Sequence, residues 1–162
     1  MSEEAFLTTL KQHEGIVRKV VNSYCKDMDD RDDLIQEITI QLWKSWANYN
    51  NSYKVSTWIY RIALNVAISF YRKNYRRSTF NQAIENEPVL TDTGTDTNLS
   101  ERIKQLYYFI SKFDEFNKAL ILLYLDEYSY QEMAEILGIS KTNVSTKISR
   151  IKNQLRKEFN LK

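Results

Sequence analysis

The chain has 162 residues, 43% of them hydrophobic and 27% charged, with a net charge of +2, a length that admits one domain or two small ones. A single cysteine (Cys25) and a single histidine (His13) exclude a disulfide framework, a CxxC metal site and a multi-histidine centre, so no metal or cofactor is expected. No apolar run approaches the length of a membrane span, and the acidic start MSEEAFLTT lacks the apolar core of a signal peptide, which implies a cytoplasmic protein.

The small net charge conceals four blocks. Residues 1–50 carry six basic and nine acidic groups, and residues 51–80 carry six basic and none acidic. Residues 81–101 carry five acidic and none basic, and residues 102–162 carry eleven basic and seven acidic. Two basic blocks separated by an acidic one suggest two separate contacts with a polyanion.

In chain order, residues 4–25 place Phe6, Leu7, Leu10, Val17, Val20, Val21 and Tyr24 at helical spacing. Cys25 beside them reads as a small buried hydrophobe. The acidic turn KDMDDRDD follows, and its last aspartates suit a helix N-terminus. DDLIQEITIQLWKSW then reads as a helix with Leu34, Ile35, Ile38, Leu42 and Trp43 inward and Asp33, Gln36, Glu37 and Gln41 outward. Residues 47–56 are polar and turn-rich. They lead into the helix TWIYRIALNVAISFYRKNYRR, whose second half is basic.

Aromatic side chains crowd this loop and helix. Interleaved with Arg61, Arg72, Lys73, Arg76 and Arg77 they make a surface suited to single-stranded nucleic acid, because bases stack on rings while cations track phosphates. The competing reading is that the rings are core. Core is the expectation for Trp43, Ile59 and Ile62, whereas Tyr49, Tyr53 and Trp58 are compatible with either role.

Residues 78–101, STFNQAIENEPVLTDTGTDTNLSE, hold the sole proline (Pro88) and Gly94 and show no periodicity, so they read as a linker. The expected architecture is all-α, with small helical domains over 1–77 and 102–162.

The second domain ends in YSYQEMAEILGISKTNVSTKISRIKNQLRKEF. Ser129 followed by Glu132 is a capping-box pattern, with Met133, Ile136 and Leu137 on one face of the helix that follows. Gly138 ends that helix, and Ser140 caps another whose Val144, Ile148, Ile151, Leu155 and Phe159 form one apolar stripe. This is a helix-turn-helix pattern, whose second helix lies in the major groove. A solvated amphipathic pair is the bland alternative. Seven Lys/Arg against one Glu from 139 to 162, with Lys141, Asn143, Ser145, Thr146, Lys147, Ser149 and Arg150 facing outward, favour DNA.

DDLIQEITIQLW, VSTWIYRIALNVAISFYRKNYRR and YSYQEMAEILGISKTNVSTKISRIKNQL, in that order around an acidic linker, resemble the bacterial sigma factors of RNA polymerase, in particular the small extracytoplasmic-function (ECF) type. The resemblance implies a sigma region 2 over 1–77, a linker over 78–101 and a region 4 over 102–162. Its implied partners are core polymerase, promoter DNA and, for many members, an anti-sigma factor. It also implies that Asp33, Leu34, Gln36, Glu37 and Gln41 dock on the β′ clamp helices. Residues 47–54 would hold a flipped base of the −10 element. Trp58, Arg61 and Asn65 would lie near the melted strand, and Arg72, Lys73, Arg76 and Arg77 on phosphates. Ser145, Thr146, Ser149 and Arg150 would read the −35 element, with Lys141 and Lys147 on phosphates. Leu120, Leu123 and Tyr124 would hold the β-flap tip. Thr39 and Ser145 depart from the family pattern, which usually has Phe and a basic residue there. A stand-alone helix-turn-helix regulator is the alternative, but it leaves the aromatic, basic helix unexplained. An enzyme ranks last, since no nucleophile–base pair, metal cluster or phosphate loop is visible.

Overall fold

The computed structural model describes residues 2–80 and 97–158, and the side chains of these except 75–80 and 97–99. The described residues form eight helices and no strand. They fall into two compact units, Met1–Arg76 and Arg77–Lys162.

Unit 1 begins with α1 (Glu3–Gln12), whose first turn is capped by the Ser2 hydroxyl accepting from the Ala5 N–H at 3.1 Å. α2 (Glu14–Tyr24) follows directly. The single helix expected over 4–25 is therefore two. His13 leaves helical geometry (φ −116°, ψ 18°), and its N–H is shared between the carbonyls of Thr9 and Leu10. The break lets Phe6 on one helix and Val17, Val20 and Val21 on the next all reach the core. Cys25 is buried, in extended backbone just past α2.

α3 (Met28–Trp46) starts earlier than its apolar pattern suggested, because Asp27 is the cap, accepting from the Asp29 N–H at 2.9 Å. Acidic side chains favour a helix N-terminus, but here they crowd. Partial burial, and then the charges of Asp27, Asp33 and Asp29, push the Asp30 carboxyl above its usual range. The buried stripe is Leu34, Ile38, Leu42 and Trp46, a spacing of four throughout. Ile35 and Trp43 fall beside that stripe and are exposed, Trp43 by 47%, which corrects the expectation that both face inward. α4 (Val55–Phe80) buries Ile59, Tyr60, Ala63, Leu64, Ala67 and Ile68, while Ile62 is only half-buried. Full burial of each large aliphatic contributes about 1.5–3 kcal/mol.

Unit 2 contains α5 (Thr97–Ser111), α6 (Glu115–Leu125), α7 (Tyr130–Leu137) and α8 (Lys141–Glu158). With α4 running to Phe80 and α5 starting at Thr97, the linker expected over 78–101 is helical at both ends. Residues 81–96, with Pro88 and Gly94, lie outside the described residues, as does Phe159. Asp114 caps α6 through the Asn117 N–H at 2.8 Å. Ser129 and Glu132 form the capping box of α7, and Gly138 ends it in the left-handed region (φ 69°). The Ser140 hydroxyl then accepts from the Asn143 N–H at 3.1 Å, starting α8.

Candidate nucleic-acid and docking surfaces

α8 is fixed by its buried face. Val144, Ile148 and Ile151 are inside and Leu155 is half-buried, all within one stripe of the helix. Lys141, Ser145, Thr146, Ser149 and Arg150 are exposed, as expected of residues available to DNA. Thr142, overlooked in the sequence, is exposed in the first turn and shares a face with Thr146 and Ser149. The Thr146 hydroxyl donates to the Thr142 carbonyl at 3.1 Å, so its oxygen remains as an acceptor. Lys147 is half-buried on the flank, its ammonium 5.4 Å from the centre of the Phe116 ring. Lys152 sits 5.0 Å over the Tyr124 ring, and its hydrogen bond to Tyr124 pushes its pKa up. Glu158 pairs with Lys112. These contacts brace α8 against α6 and the turn before it.

On α4, Trp58, Arg61, Asn65 and Arg72 recur at spacings of three, four and seven, and so share one side of the helix. Ser69, exposed between Asn65 and Arg72, belongs to the same stripe and was missed. From 58 to 72 the stripe runs about 21 Å at 1.5 Å per residue. No acidic residue occurs anywhere in 51–80. Lys73 is also exposed. Arg76 and Arg77 lie in α4, but their side chains are outside the described set.

At the start of the stripe sits an aromatic cluster. Trp46 stacks on Tyr49 at 6.0 Å and 17°, Tyr49 meets Trp58 at 5.0 Å, and Trp46 meets Trp58 at 5.8 Å. Phe6 packs edge-on against both Trp43 and Trp46. The Tyr49 hydroxyl donates to the Tyr53 carbonyl at 2.8 Å, and between them Asn51 takes φ 62°, a left-handed turn that asparagine tolerates. Tyr49 is 7% exposed and Tyr53 49% exposed. In the free chain Tyr49 is thus covered, the core side of the two roles left open for it. Tyr53 is accessible and Trp58 half-buried.

The outward face of α3 carries Asp33, Gln36 and Glu37, all exposed. Gln41 is half-buried, with its amide donating to Glu37 at 3.4 Å. Leu34 is fully buried, so it supports this face from behind and cannot touch a docked partner. Two apolar residues stand on the same face, Ile40 and Trp43, each about half exposed. In unit 2, Leu120 and Leu123 are likewise fully buried and Tyr124 is half-buried under Lys152. The two leucines are core of α6, not surface. The exposed apolar residues of that unit are Ile103, Tyr108 and Leu125.

The sequence model of Sigma-70 region 2 matches residues 9–77, and that of Sigma-70, region 4 matches residues 117–155. The RNA polymerase sigma factor YlaC of Bacillus subtilis (strain 168) is 31% identical over 135 residues, covering 78% of this chain and 76% of the relative. The chain belongs to the sigma-70 family. The ECF RNA polymerase sigma factor SigW of the same organism is 25% identical over 170 residues, covering 97% of this chain and 90% of SigW. Among solved structures, the sigma factor RpoE of Bartonella quintana, determined in complex with the anti-sigma factor NepR, has the same fold. Its TM-score is 0.77, at 19% identity, and 98% of each chain is covered.

This protein is therefore an ECF-type RNA polymerase sigma factor, which directs the polymerase to specific promoters. The region 2 match takes in most of unit 1, with the α3 face, the Trp46, Tyr49 and Trp58 cluster and the whole α4 stripe. The region 4 match takes in most of α6, all of α7 and most of α8, so it covers the helix-turn-helix of this sigma factor except the last residues of α8. Among the described residues no helix is long and apolar enough to cross a membrane, and no group of three His, Cys, Asp or Glu is placed to hold a metal ion.

Proposed function

We propose a residue-level division of labour for this sigma factor. The α3 face of Asp33, Gln36 and Glu37, widened by Ile40 and Trp43, docks core polymerase. Residues 47–54 and the α4 stripe of Trp58, Arg61, Asn65, Ser69 and Arg72 take the melted −10 strand, with Lys73, Arg76 and Arg77 on its phosphates. α8 reads the −35 duplex through Thr142, Ser145, Thr146, Ser149 and Arg150, with Lys141 on the backbone. The observation that carries this reading is the acid-free stripe on α4, which begins at an aromatic cluster. That pairing of rings and cations suits single-stranded DNA and serves no purpose in a stand-alone duplex binder.

The chain works by binding, not by catalysis, and in the cytoplasm, where polymerase and promoters are. The fold shared with RpoE, whose structure contains NepR, supports an anti-sigma factor as a further partner.

The test is transcription by bacterial core polymerase on a random promoter library, with and without the protein. Protein-dependent transcripts should share two upstream motifs. Arg150→Ala should then cost about 1–3 kcal/mol in binding and relax preference at one −35 position only. Asn65→Ala should impair the −10 motif and spare core binding. Sequence-specific duplex binding by the protein alone, with no dependence on polymerase, would instead support the stand-alone regulator.

A further inference from the structure

Tyr49 is covered in a loop that the preceding reading assigns to a flipped base, and its surroundings say why. Its ring is one corner of a triangle with Trp46 and Trp58, lying nearly parallel to the Trp46 indole. Unlike those two, Tyr49 belongs to no helix. Past the end of α3 it is tied by the 2.8 Å bond from its hydroxyl to the Tyr53 carbonyl, across a turn whose other side-chain bonds are local, from Ser52 to the Asn50 carboxamide. The Trp46 Nε1–H, in a residue 6% exposed, is buried and has no hydrogen-bond partner. A native structure rarely leaves a buried donor unused without a reason.

We infer that Tyr49 is a plug. Its ring occupies, in the free sigma factor, the place that the flipped −10 base takes in the promoter complex, stacked on Trp46 and against Trp58. A base is a flat ring of similar thickness and can replace the tyrosine ring for ring. The idle Trp46 Nε1–H lies in the indole plane, so it is left to a sugar or phosphate oxygen of the same nucleotide rather than to the stacked base. Capture then requires the Tyr49 hydroxyl to leave the Tyr53 carbonyl and the ring to swing out. The slot is thereby closed to stray single strands until a correctly placed base competes for it. The inference rests on the assignment of residues 47–54 to the −10 strand.

The experiment measures binding of holoenzyme, assembled with core polymerase, to the non-template single strand of a promoter recovered from the library assay. Tyr49→Phe keeps the ring and cuts the tether. It should bind the strand roughly 2- to 10-fold more tightly, the worth of one hydrogen bond, with a slightly lower melting temperature for the free protein. Trp58→Leu removes a stacking wall and should weaken binding by about 5- to 150-fold. Weakening by Trp58→Leu without tightening by Tyr49→Phe overturns the plug and leaves the −10 assignment standing. No effect of Trp58→Leu overturns that assignment, and the plug with it.

Discussion

Ile40 is the residue that most sharpens the face proposed to dock polymerase. An apolar side chain almost half exposed on a helix whose core stripe is already complete needs a partner to cover it, and its neighbours Asp33, Gln36 and Glu37 are all exposed. Ile40→Gln should weaken binding to core polymerase roughly 5- to 10-fold, the worth of one partly buried aliphatic at an interface. It should leave the melting temperature of the free chain nearly unchanged, because surface substitutions outside special features stay within about 0.5 kcal/mol. Titration of core polymerase followed by gel-shift or fluorescence anisotropy reads the first, and thermal denaturation the second. Unaltered core affinity would remove Ile40 from the interface. The sequence concealed this residue for a definable reason. Adjacent apolar pairs, Leu34 with Ile35 and Leu42 with Trp43, read as one inward face and drew Trp43 into it. The phase of α3 selects Trp46, which turns Trp43 outward beside Ile40. Tyr49 shows the same limit from the other side, since no periodicity exists in a loop to tell a packed ring from a waiting one.

At the scale of elements, the helix-turn-helix was the most legible part of the chain because its punctuation is local. Ser129 with Glu132, Gly138, and Ser140 each act within a turn of their own position, and each does in the structure what its chemistry requires. The break between α1 and α2 was not legible, because no proline or glycine stands at His13 and the apolar spacing runs on past it. Gly138 tests how much the turn depends on its backbone. A methyl group there meets nothing within 4 Å, but φ is +69°. The cost of Gly138→Ala is therefore local to the backbone, about 1–2 kcal/mol, with no clash against neighbouring residues. Gly138→Asn should cost less, since asparagine visits the left-handed region more readily. All three tryptophans lie in unit 1, so urea unfolding should be followed by far-ultraviolet circular dichroism, which reports helices in both units. Equal loss for Ala and Asn would indicate that the turn needs glycine for something other than its φ.

For the whole molecule, the alternation of charge along the sequence is the organising feature. The surfaces proposed for the −10 and −35 elements belong to different units, and the chain between α4 and α5 consists of residues 81–96. Elements centred about 25 steps apart along duplex DNA are separated by roughly 85 Å at about 3.4 Å per step. Sixteen residues span at most about 55 Å, so the widths of the two units must supply the rest. The acidic residues of this segment, Glu85, Glu87, Asp92 and Asp96, repel DNA, so adhesion to the promoter cannot hold the segment in place. On the proposed reading, polymerase does so. Deleting eight of these residues removes about 27 Å of reach. Transcription from promoters with the natural spacing should then fall by an order of magnitude or more, and a spacer library should recover only shorter separations. Core binding through the α3 face should be unchanged, because that face lies within unit 1. Full activity at the natural spacing after the deletion would mean that both elements are not held at once, and that the two basic units act in succession on the same promoter.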